Sequence, residues 1–144
     1  MGIFTINFEN LNCFFNCRSR CNDTKKIEIS ITELEKMSET TEPYVFINMF
    51  LGRIINLTDS INGFIYKTIP GNSAAYKALA VYGIAVNTAV LTNNIINIPL
   101  YHNEVFIGTM GLGLRSKNVR VDEFLESIEG LTILLSKYLF HHDF

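Results

Sequence analysis

Cys13, Cys17 and Cys21 are the only cysteines of the chain, and they stand four residues apart. In a helix this spacing sets three thiols on one stripe, one per turn. Phe14, Phe15, Arg18, Arg20, Lys25 and Lys26 surround them. Thiols beside aromatic and basic residues have the composition of an S-acylation segment at an anionic membrane surface. Gly2 invites myristoylation, but Ile6 stands where that signal wants Ser or Thr, so only one of the two lipid signals needed for stable anchoring is in place. A zinc site would need a fourth ligand, for which His141 or His142 is available. The plain alternative is three free thiols on a short helix or a loose tail. Their odd number and tight clustering argue against a disulfide framework and for a reducing, cytoplasmic compartment. Any membrane contact would be peripheral and would run through this segment.

Other candidate chemistry is thinner. Gly108-Thr109-Met110-Gly111-Leu112-Gly113 resembles a phosphate loop, but no helix start and no Lys-Ser/Thr pair follow it. Glycines at a strand bend or a close backbone approach explain it better. His102 falls in a predicted turn near Glu104, an ordinary surface arrangement, and His141-His142 suits the negative end of a helix dipole. No nucleophile, base and orienting group stand together, so no catalytic residue, metal site or cofactor is expected and the chain reads as non-enzymatic.

These residues need a scaffold. The chain has 144 residues, 48% of them apolar, enough for one domain with a real core. Charged residues make up 18% and the net charge is −2, which argues against nucleic acid as a partner. No apolar run reaches the roughly 18–20 residues of a membrane helix. The first fifteen residues lack a basic start and are interrupted by Asn7, Glu9, Asn10 and Asn12, so they make a poor signal peptide. Without one, the glycosylation sequons at Asn22 and Asn56 are chance matches.

Residues 1–29 are mixed in character and read as an N-terminal segment, mobile or tethering, ahead of a single domain over 30–144. Ser30-Ile31-Thr32-Glu33 reads as a capping box that opens a short helix. Thr41 or Glu42 caps a second helix with Pro43 in its first turn, running to about Leu57. That helix carries two apolar stripes. Phe46, Met49, Phe50, Ile54 and Leu57 form one; Ile47, Leu51 and Ile55 form the other. A sheet can cover one stripe only. The other needs either residues 1–40 folded back over it or a second subunit. The dimer is the leading expectation, with Ile47, Leu51 and Ile55 at its interface and Gly130 permitting close approach of the last helix.

From Ser60 the pattern turns to strands. Two hairpins are predicted, with turns at Pro70–Ser73 and His102–Asn103, and a short connection, NTAVLTNN, between them. Asp122 then caps one long helix whose apolar face runs from Phe124 to Leu139. The fold class is α+β (α/β in the broad sense): an antiparallel sheet of five or six strands with helices mainly on one face.

The run from Ile98 to Leu139, with Pro99-Leu100, Gly108, Asp122 and a terminal amphipathic helix, resembles the C-terminal half of a GAF domain. LGRIINLTDSINGFIYKTI resembles the family's junction of helix and first strand. The likeness covers about residues 43–140. It implies a regulatory, non-enzymatic domain that pairs through its first and last helices and signals through an unknown protein partner. Two departures matter. About eight residues stand where the family has a helical roof over its ligand, too few for one. Of the motif of cyclic-nucleotide-binding members, only Lys117 and Asp122-Glu123 remain. Family members that reduce free methionine sulfoxide use cysteines within the domain, and this chain has none after Cys21. The alternatives are a small-molecule sensor with a pocket between the sheet and NTAVLTNN, and a longin- or roadblock-type trafficking adaptor.

Overall fold

The computed structural model describes residues 8–69, 71–83, 95–116 and 118–144. They form α1 (Phe8–Thr40), α2 (Pro43–Leu57), β1 (Ser60–Ile69), β2 (Asn72–Tyr82), β3 (Ile95–His102), β4 (Val105–Leu114), α3 (Val121–Ser127) and α4 (Glu129–His141). The strands make one antiparallel sheet in the order β2-β1-β4-β3. Four strands stand among the described residues, against the five or six expected.

Helix α2 starts as its sequence requires. The Glu42 carboxylate accepts the amides of Tyr44 and Val45, both at 3.2 Å, and Pro43 follows in the first turn. Ser30 is a different case. Helix α1 runs through it without a break, so it caps nothing. The guanidinium of Arg53 on α2 donates to the Ser30 hydroxyl at 3.2 Å and to Glu33 at 2.8 Å. Residues three apart lie on one helix face as readily as they form a capping box, and here the pair ties α1 to α2.

Both apolar stripes of α2, Met49 excepted, are covered within one chain. Leu51 packs on the sheet beside Gly63 and Leu112, and Phe46 packs on Tyr138 of α4 with ring centroids 4.3 Å apart. Helix α4 lies on β3 and β4, and α1 touches both α2 and α4. The helices therefore share one face of the sheet, as expected. Ile65, Met110, Leu112, Leu131, Leu135 and Leu139 lie fully buried between the layers, where each such side chain contributes about 1.5–3 kcal/mol.

The hairpins form close to where the turn residues put them. Ile69 pairs with Asn72 across Gly71, which has φ +84°. His102 pairs with Val105, so the second turn is Asn103–Glu104, one residue later than expected. Both turn residues have positive φ, +50° and +66°, the geometry of a two-residue I′ turn. The expected long final helix is two helices. Arg120, and not Asp122, stands at the cap of α3, and the chain bends at Ile128, which has φ −106° and ψ 10° and is fully buried. Among the described residues no helix is long and apolar enough to cross a membrane.

Candidate functional site

Alternation along β1 divides its side chains between two faces. Ile65 and its partner Met110 point under the helices and are fully buried. Asn62, Phe64, Tyr66 and Thr68 therefore occupy the opposite face, which no helix covers among the described residues; Asn62 is nonetheless buried there and the other three are half-buried. Their partners on β4 are Gly113, Gly111 and Thr109 for the first three. A side chain at Gly111 would collide with the Phe64 ring, and one at Gly113 with the Asn62 carboxamide. The two glycines thus let Phe64 and Asn62 lie flat across the sheet. Phe64 stacks on Tyr66 with centroids 4.6 Å apart and planes 30° apart. Val81 and Tyr76 of β2 extend the face on one side, Asn97 and Pro99 of β3 on the other. Nothing charged stands on it among the described residues. The result is a flat aromatic and amide surface floored by glycine.

The lysines of the sheet lie on the helix side. Lys67 and Lys77 are register partners. Lys67 donates to the His142 carbonyl at 2.7 Å and sits 5.3 Å from the Phe144 ring centroid, while Lys77 sits 5.6 Å from that of Tyr44. Burial holds the Lys67 ammonium below its usual pKa, against a smaller upward pull from Asp143. Nearby, the Tyr138 hydroxyl is buried with no hydrogen-bond partner among the described residues. Burial raises its pKa, and the negative charge of Glu42 adds to the effect.

Two grooves open on the helix side. One, of about 710 Å³, lies between α1, the end of α2 and α3, with Ile27, Leu57, Phe124 and Ile128 as its apolar lining and Arg120 and Glu123 at its edge. The other, of about 330 Å³, lies between α1 and α4. Arg120 is 3.9 Å from Asp122 and 3.7 Å from Glu123, an exposed cluster with little energetic consequence.

The residues expected to do chemistry or pairing do not assemble. Ile47, Leu51 and Ile55 are 0%, 1% and 4% exposed inside the single chain, so they cannot form a dimer interface. The sheet is their cover. Gly130 does permit a close approach, but within the chain: Ile31 Cδ1 lies 2.6 Å from where its Cβ would be. The glycines at 108, 111 and 113 are strand glycines, as expected. His102 is half-buried beside Phe140 and His141 at 4.7 and 5.6 Å, away from any turn chemistry with Glu104. The backbone of α1 places Cys13, Cys17 and Cys21 on one stripe; their side chains, Lys117 and the connection NTAVLTNN lie outside the described residues. Among those residues no group of three or more His, Cys, Asp or Glu could hold a metal. The open face was missed from sequence because its signal is distributed. It needs the alternation of β1 and the glycines of β4 to be placed side by side.

No family model matches the sequence, and none of the curated proteins is similar to it. A solved structure described as the GAF domain of a sensor histidine kinase from Pseudomonas syringae pv. tomato matches 89% of this chain and 93% of its own. The TM-score is 0.67 at 15% sequence identity. The fold is GAF-like. At that identity the likeness is one of architecture alone.

Proposed function

We propose that the chain is a non-enzymatic sensing or regulatory module of the GAF kind, and that its recognition surface is the open face of the sheet. The observation that carries this reading is the uncharged, glycine-floored platform of Phe64, Tyr66 and Thr109, with Asn62 buried at its end. Small-molecule sites are mostly apolar and aromatic, with a few polar groups that fix orientation. Phe64 and Tyr66 offer a half-exposed stacking surface, and Thr109 offers a hydroxyl beside it, while Asn62 lies buried at one end of the face. A planar, uncharged heterocycle fits such a surface. A phosphate ester does not, because no cation stands on the face, among the described residues, to offset desolvation of its charge. The similar kinase domain belongs to a protein described as a sensor, which points to the same class of role.

The test is calorimetric titration of the full chain with adenine and indole, and with cyclic AMP and cyclic GMP as charged counterparts. Binding of an uncharged ring at tens to hundreds of micromolar is expected, about 5–6 kcal/mol for so small a ligand. Tyr66→Ala should weaken it about tenfold through lost stacking. Tight binding of a cyclic nucleotide, or equal binding by Tyr66→Ala, would refute the reading.

A further inference from the structure

The geometry points to a binding site for one divalent transition-metal ion between β3 and α4, with the imidazoles of His102 and His141 as its protein ligands and water in the remaining positions. The chain has three histidines, and all of them meet at the C-terminal end of α4. Alternation along β3 sets His102 on the face of Ile98 and Leu100, which are buried under the helices. Its ring therefore reaches α4, where its centroid lies 4.7 Å from that of Phe140 and 5.6 Å from that of His141.

That separation suits shared ligation. An imidazole nitrogen binds such an ion at about 2.0–2.1 Å, which brings the centroids of two rings on one ion to roughly 4.5–5.5 Å. The observed 5.6 Å stands at the edge of that range, and the planes are 69° apart, so the rings are not stacked on one another. His141 is exposed at the last turn of α4, and a turn about its own side-chain torsions closes the gap without moving backbone. Phe140 packs on the His102 ring and steadies it. Two imidazoles are fewer than the protein ligands of a structural or catalytic zinc centre. They suit an ion that prefers nitrogen and keeps several waters, as nickel(II) and copper(II) do.

The surroundings favour positive charge. The negative end of the α4 dipole lies here, and Lys67 already donates to the His142 carbonyl at 2.7 Å. In the groove on the other side of His141, Glu35 and Glu39 balance Lys36 and Lys137. His142 is engaged elsewhere: its Nδ1 donates to the Tyr138 carbonyl at 2.9 Å, and its ring stacks on Tyr138 at 3.9 Å. The pair draws on no cysteine, which separates it from the zinc site weighed from the sequence. An ion held here ties the edge strand to the last helical turn, so stability rises with its concentration.

Calorimetric titration of the full chain with nickel(II) chloride tests the site, with magnesium chloride as the oxygen-preferring control. One nickel ion per chain should bind in the micromolar range, and magnesium should not bind. His102→Gln and His141→Gln should each weaken nickel binding roughly tenfold or more. His142→Gln should leave it unchanged, and so should Cys13→Ser, Cys17→Ser and Cys21→Ser combined. Nickel(II) is paramagnetic, so amide signals of the nitrogen-labelled, unaltered chain give a readout that needs no variant. Those of His102, Phe140 and His141 should broaden first, and those of Phe64 and Tyr66, on the far face of the sheet, should stay sharp. No binding by the unaltered chain at millimolar nickel would overturn the inference. So would binding abolished in the combined serine variant, an equal loss in His142→Gln, or broadening centred away from His102 and His141.

Discussion

Single residues carry the sharpest tests. Tyr138 is held between Phe46 and the His142 ring, and its buried hydroxyl has no partner among the described residues. An unsatisfied buried polar group costs about 1–3 kcal/mol. Tyr138→Phe keeps the ring packing and removes that cost, so it should raise stability by about 1 kcal/mol in chemical denaturation. The same residue gives a pH signature. Its folded pKa is raised, so above the unfolded value near 10 the folded state still holds a proton that the unfolded state has lost. Stability from this group is fully present below pH 10 and falls as pH rises through the folded pKa. Lys67 acts oppositely: its folded pKa is lowered, so stability rises with pH as the solution approaches 10.5. Comparing Tyr138→Phe with the unaltered chain at each pH holds the lysine constant. The gap between the two should widen above pH 10, and a gap independent of pH would reject the assignment.

Glycines divide by what surrounds them. A Cβ at Gly108 would strike the Tyr66 carbonyl on the neighbouring strand, and backbone cannot move aside cheaply. Gly108→Ala should cost about 3 kcal/mol. Gly52→Ala meets open space and should stabilise the monomer by about 1 kcal/mol through helix propensity. Thermal melts at a concentration that keeps the chain monomeric read both signs; equal losses at the two positions would contradict the packing described.

At the level of elements, the hairpins were the most legible part of the sequence. Strand-like runs broken by Pro-Gly and His-Asn-Glu leave few other pairings, and the sheet follows them closely. The turn at Asn103–Glu104 keeps one unfavourable residue. Glutamate at φ +66° pays a left-handed penalty that glycine avoids. Glu104→Gly should therefore stabilise the second hairpin by about 0.5–1 kcal/mol, measurable as a rise in Tm.

The helices were less legible, for definite reasons. Ser30 and Glu33 satisfy the spacing of a capping box and of a helix face alike, and only the position of Arg53 decides between them. Asp122 looked like the cap of one long helix, but burial of Ile128 places a bend that the apolar periodicity does not record. The two stripes of α2 were read correctly as apolar. Their cover comes from within the chain and not from a second subunit: the sheet lies below, and α1, part of the 1–40 segment weighed as the alternative cover, packs alongside. Met49, assigned to the core stripe, is the residue that faces out.

For the molecule as a whole, the GAF-like architecture puts its helices on one side and, among the described residues, leaves an uncharged aromatic face on the other. Part of that face was visible in advance: the glycine run of β4 was recognised as strand and not as phosphate loop. What sequence could not supply was the register that sets Gly111 beneath Phe64 and Gly113 beside Asn62.

The most direct test of the recognition surface is chemical-shift mapping of the nitrogen-labelled chain during titration with adenine or indole. The largest shifts are predicted at Asn62, Phe64, Tyr66, Thr109 and Gly111, with the helix-side groove around Ile27, Leu57 and Phe124 unmoved. Shifts confined to that groove, or none anywhere at millimolar ligand, would contradict the assignment of the open sheet face as the site.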